Sequence, residues 1–101
     1  MSKIRIEKSF DGKSPDDCFE AAKEAFPNAG FEIFKTRDIA WLVIAHRHEN
    51  NSLIDANIGA RPPAVCANVT LSISCVDLDR VALQQYADKI LSELEKALSI
   101  K

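Results

Sequence analysis

No CxxC pair, no charged tail and no membrane-length apolar stretch occurs in these 101 residues, and each absence removes a class of protein. The three cysteines, Cys18, Cys66 and Cys75, are odd in number and lie in apolar or small-residue surroundings. They read as free, reduced thiols filling small buried spaces rather than as a disulfide framework or a zinc site. The longest apolar run, Ile39 to Ala45, is seven residues, against the roughly 20 that a membrane-spanning helix needs. It is expected to be a buried strand. The start, Met-Ser-Lys-Ile-Arg-Ile-Glu-Lys, mixes charges with single apolar residues and lacks the apolar core of a signal peptide. A cytoplasmic location follows as an expectation. Basic excess is missing too: the net charge is −2 and the pI near 5.6, which argues against a nucleic-acid partner, since that binding rests on many Lys or Arg contacts to phosphate. Glycine and proline are few, three and four, and scattered, so no linker, repeat or low-complexity segment divides the chain.

What is present is an ordinary globular composition, 47% hydrophobic and 28% charged, in a length suited to one core. One domain, residues 1–101, is expected. Lys3 to Phe10 alternates, with Ile4, Ile6 and Phe10 on one face of a half-buried strand. Ser14 is a good helix N-cap, Pro15 suits the first helical position, and Asp16 and Asp17 favour the positive end of the helix dipole. The stripe Cys18, Phe19, Ala22, Ala25 and Phe26 then predicts a helix ending near Phe26, where Pro27, Asn28 and Gly30 follow. Phe31 to Lys35 predicts a strand, Thr36-Arg37-Asp38 a turn, and Ile39 to His46 the next strand. A turn at Asn50-Asn51 leads into Ser52 to Ala60, and the Arg61-Pro62-Pro63-Ala64 loop into Val65 to Val76. Asp77 is expected to cap a long helix from Leu78 to about Ile100, with the stripe Leu83, Tyr86, Ala87, Ile90, Leu94, Ala97 and Leu98.

The element order β-α-β-β-β-β-α predicts an α+β two-layer sandwich, an antiparallel meander sheet with both helices on one face. This order resembles the two-layer fold of the TATA-binding-protein type, of which the Bet v 1 and START-like helix-grip proteins are enlarged relatives. The resemblance covers nearly the whole chain. The extra helix and strand pair with which larger helix-grip proteins enclose a ligand have no counterpart in the sequence.

Turn geometry then fixes which residues share a face. A short Asn50-Asn51 turn sets Trp41, Val43 and Ala45 beside Ala60, Ile58 and Ala56, all apolar. A four-residue loop Arg61 to Ala64 would set Ile58 against Ala67, Ala56 against Val69 and Ile54 against Leu71. Trp41, Val43, Ile54, Ile58, Val69 and Leu71 are therefore the expected core. The opposite face carries His46 across from Asp55, Asp55 across from Thr70 and Asn57 across from Asn68, with His48, Ser72 and Ser74 nearby and Leu42 and Ile44 alongside.

A polar outer face is what a sheet covered on one side should have, and a solvated surface is its plainest reading. Leu42 and Ile44 go beyond that, because they would be exposed in a monomer, and a homodimer through the sheet would cover them. Leu42, Ile44, His46, Asp55, Asn57, Asn68 and Thr70 are thus the candidate ligand- or partner-binding residues. His46 and His48, about 7 Å apart by strand geometry, and Asp55 could meet at a metal ion, but no fourth ligand is fixed near them, so no metal and no cofactor is expected. His46 oriented by Asp55 as a general base would need a nucleophile, for which Thr70 is poor. The function expected is a non-catalytic binding or interaction domain, for a small apolar ligand between the long helix and the sheet or for a protein partner on the outer face. A small hydrolase, isomerase or metal site using His46, His48 and Asp55 is the alternative.

Overall fold

The computed structural model describes residues 2–49, 51–63 and 65–100, with the backbone only at Ile100. Asn50 of the first expected turn and Ala64 of the second loop lie outside the described residues. Five strands form one antiparallel sheet in the order β1-β5-β4-β3-β2. They are β1 (Ser2–Asp11), β2 (Glu32–Arg37), β3 (Leu42–Glu49), β4 (Ser52–Arg61) and β5 (Cys66–Cys75). Helix α1 (Pro15–Asn28) packs over β4, β3 and β2, and α2 (Arg80–Ile100) over β1 and β5, with the helices also touching each other. The expected α+β sandwich is the architecture found.

Local chemistry starts and stops the helices. At α1, Asp17 N–H donates to Ser14 Oγ and Ser14 N–H to Asp17 Oδ2, both at 3.1 Å, a reciprocal capping box. Helix α1 runs through Pro27 to Asn28, two residues past the expected end. The stop is Gly30 at φ +87°, where Phe31 N–H reaches Phe26 O and Gly30 N–H reaches Pro27 O, the Schellman pattern that favours glycine. Proline removed one ladder bond without ending the helix. Helix α2 starts at Arg80, later than expected, because the capping residue is Asp79: its Oδ1 accepts from Ala82 N–H at 2.8 Å and its carbonyl from Leu83 N–H at 3.1 Å. Asp77, the expected cap, instead accepts from the buried Ser52 hydroxyl at 2.9 Å.

The run Ile39 to Ala45 is not one strand. Asp38–Ala40 is a turn of 3₁₀-helix, Trp41 follows at φ +49°, and β3 begins only at Leu42. Ile39 is left 96% exposed. Trp41 is held in the left-handed region by its Nε1–H on Asp16 Oδ1 at 2.7 Å and by its carbonyl, which accepts from Ala60 N–H at 3.0 Å. It is half-buried against the core rather than within it.

Between β3 and β4 the expected register holds, Val43 opposite Ile58 and His46 opposite Asp55. Between β4 and β5 it is displaced by four residues: Ile58 faces Leu71, Ala56 faces Ile73 and Ile54 faces Cys75. Pro62 and Pro63 have no N–H to give a ladder, and the last pair before the connection is Arg61 opposite Asn68, with six residues between them rather than the four of the expected loop. Strand β5 pairs over its full length with β1, Ser2 opposite Cys75 through Asp11 opposite Cys66, which sets where it begins and ends. Val65 and Val76, expected in that strand, flank it and are exposed.

An even displacement leaves every side chain on its own face. Val43, Ile54, Ile58, Val69 and Leu71 are accordingly buried as expected, at 1% exposure or less. Ala45, Ala56, Ala60 and Ala67 on the sheet, and Ala21, Ala22 and Ala25 on α1, are buried as well, and their small size lets the layers approach closely. Leu83, Ile90 and Leu94 of α2 are fully buried and belong to the same core as Leu71 and Ile73 of β5, against which α2 packs.

Candidate functional site

The outer face is built by the residues between the buried ones. On β3, Val43 and Ala45 point to the helices, so Leu42, Ile44 and His46 stand on the other side, half-buried. Their partners on β4 are Gly59, Asn57 and Asp55, and on β2 Arg37, Lys35 and Glu32. A bulge between Ile33 and Lys35 shifts the register of β2 and lets Phe34 reach the outer face as well. Its ring stacks on His46, centroids 4.7 Å apart and planes 24° from parallel, while remaining 68% exposed. His46 Nε2 and Asp55 Oδ1 are 3.0 Å apart.

Five of the seven expected residues, Leu42, Ile44, His46, Asp55 and Asn57, thus form one contiguous patch. Asn68 and Thr70 do not join it in the expected way, because the displaced β4–β5 register moves them along the sheet. Thr70 faces Gly59, and Asn68 faces Arg61 while its Oδ1 accepts from Ser9 Oγ at 2.6 Å. The residues across from Asp55 and Asn57 are Ser74 and Ser72. Among the described residues no three His, Cys, Asp or Glu side chains come close enough together to hold a metal ion, so the His46, His48 and Asp55 set does not fit one.

Sequence reasoning missed Phe34, because nothing local marked the bulge that turns it outward. It also missed a polar cluster on the inner face, where β3 runs out from under the helices. Arg47 donates from Nε and Nη2 to Glu49 Oε2, at 3.1 and 3.0 Å, and from Nη1 to the Gly30 carbonyl at 3.0 Å. The Tyr86 hydroxyl of α2 donates to the same Glu49 oxygen at 3.0 Å, and the guanidinium lies 5.3 Å from the Tyr86 ring centroid. The Tyr86 hydroxyl, and then Arg47, hold the Glu49 carboxyl below its ordinary range, and the bond to Glu49 raises Arg47. This cluster ties β3, the end of α1 and α2 together. Burial, with Asp17 beside it, pushes the Cys18 thiol up to about 11, and a hydrogen bond to Asp11 raises that of Cys66. Both shifts oppose thiolate formation. Cys18 and Cys75 are buried as expected, whereas Cys66 is only partly buried, because it lies on the outer face of β5 beside Asp11.

No helix among the described residues is long and apolar enough to cross a membrane. No family model matches the sequence. No curated protein matches it either. Solved structures do resemble the fold. Ara h 8.0201, a Bet v 1-like protein, superposes with a TM-score of 0.63 at 8% identity, over 99% of this chain and 100% of its own. A protein of Nitrosospira multiformis gives 0.60 at 12% identity, over 94% and 93%. One of Chromobacterium violaceum gives 0.57 at 10%, over 93% and 95%. At such identities the likeness is one of fold, and the fold of this chain is the helix-grip, Bet v 1-like one, with five strands and two helices.

Proposed function

We propose that the chain acts as one non-catalytic binding domain and that the occupant of its outer face is a second copy of itself. The observation that carries this reading is the apolar row Leu42, Ile44 and Phe34-on-His46, held in fixed positions on a face that no element among the described residues covers. Its charges are arranged for self-recognition. At the level of His46 the flanking residues are acidic, Glu32 and Asp55; at the levels of Ile44 and Leu42 they include Lys35 and Arg37. A two-fold axis near Ile44 would set the basic end of one copy on the acidic end of the other, the self-complementarity that an isologous interface requires.

The Bet v 1-like fold supports a second reading, a small apolar ligand between α2 and the sheet. Leu71, Ile73, Leu83, Ile90 and Leu94 fill that space, so a ligand there would have to displace them. Catalysis by His46 is less well supported, because among the described residues no hydroxyl or thiol is hydrogen-bonded to it.

Sedimentation equilibrium of the wild type and of Ile44→Asp tests the proposal. The wild type should show a mass rising with concentration towards twice the monomer, and Ile44→Asp should remain a folded monomer, because it places an unpaired charge in the contact. A wild type that stays monomeric at every concentration would refute the self-association.

A further inference from the structure

Gly59 lies inside β4, opposite Leu42 on one side and Thr70 on the other, and the fold does not require a glycine there. Its φ is outside the left-handed region, and a Cβ at that position would meet only Leu42 Cδ1, at an ordinary 3.7 Å. Glycine weakens a strand interior and often marks a place where something approaches the backbone closely. Here its missing side chain, beside the short Thr70 and Ser72, leaves a depression of about 320 Å³ on the outer face, walled by Leu42, Arg5 and Arg61. The charge at its rim is unbalanced: Arg5 Nη2 and Arg61 Nη2 turn to the same oxygen, Glu7 Oε1, at 3.2 and 4.0 Å. Two guanidinium groups share one carboxylate.

We infer that this depression binds a small organic carboxylate with a compact apolar body. The carboxylate takes the place beside Arg5 and Arg61 that Glu7 only partly fills, with the Thr70 and Ser72 hydroxyls as further donors. The body lies over Gly59 against Leu42. A volume of about 320 Å³ is at the small end of ligand sites, which suits a single ring or a short branched chain rather than a lipid. The site is open and its charges are solvated, so the affinity belongs near the millimolar range, ~1 mM. This goes beyond the proposed self-association, with which it shares Leu42.

The test is a titration of the ¹⁵N-labelled full chain with sodium benzoate at constant ionic strength. The amides of Gly59, Thr70 and Ser72 should shift together and saturate. Benzyl alcohol, the uncharged counterpart, should bind about tenfold more weakly, and so should benzoate to Arg5→Gln, each having lost a charge-assisted contact. Gly59→Val should lose benzoate binding while unfolding at a higher temperature than the wild type, since a β-branched residue suits this strand position and fills the depression. The inference is overturned if benzoate moves no amides there, if benzyl alcohol binds as well as benzoate, or if Gly59→Val still binds like the wild type. Should Gly59→Val fail to fold, Arg5→Gln and the uncharged probe still decide.

Discussion

At Gly30 the backbone turns through φ +87°, and the Arg47 guanidinium occupies the place where a side chain would stand while donating to the Gly30 carbonyl at 3.0 Å. A Cβ there would overlap Arg47 Nη1, so Gly30→Ala has to bear the left-handed conformation and also push the guanidinium from its carbonyl. The conformational part alone costs about 1–2 kcal/mol, and urea unfolding should show at least that loss. Glu49, bonded to both Arg47 and Tyr86, adds a pH dependence. Its carboxyl is held below the ordinary value of 4.5, so it stabilises the fold above that value and ceases to do so as the pH falls through the lowered one. Glu49→Gln should therefore be less stable than the wild type at neutral pH, and acid titration followed by circular dichroism should show the gap closing below pH 4.5. A gap that persisted unchanged into strong acid would mean that the carboxylate charge is not what holds the cluster.

The two aspartates before α2 separate cleanly in role. Asp79→Ala should fray the first turn of the helix, costing about 0.5–2 kcal/mol and speeding hydrogen exchange at Ala82 and Leu83. Asp77→Ala should leave those amides protected and instead free the Ser52 hydroxyl. The sequence points to Asp77 as the cap, but a tertiary contact to Ser52 of β4, which no local pattern records, takes that residue and leaves the cap to Asp79. The same distinction runs through the strands. Val43, Ile54, Ile58, Val69 and Leu71 were legible as core because side chains alternate with a period of two, which survives the four-residue displacement of β5. Asn68 and Thr70 were misplaced by that displacement, because the Pro62-Pro63 loop hides the true length of the connection and the register is set by the distant β1. The Ile39–Ala45 run shows no turn residue at the point where Trp41 takes a positive φ, so the late start of β3 was equally hidden. The face assignment can be checked directly: Leu71→Ala, at a position with no exposure, should cost about 2–5 kcal/mol in denaturant unfolding.

For the molecule as a whole, the helices cover one side of the sheet and the other carries a row of apolar side chains, acidic at one end and basic at the other. Self-association through that row makes a demand that few other uses of the face would make: the charges must match under a two-fold axis. Lys35→Glu with Arg37→Glu makes both ends acidic, and Glu32→Lys with Asp55→Lys makes both ends basic, so each double variant should repel itself and sediment as a folded monomer. Mixed together, they place opposite charges on each other at both ends. The most direct test is therefore the mass of the equimolar mixture against that of each variant alone, by sedimentation equilibrium at a concentration where the wild type is dimeric. The expected result is monomer for each variant and heterodimer for the mixture. A mixture that remains monomeric while the wild type associates would contradict the two-fold arrangement, and a wild type that never associates would contradict the interface itself.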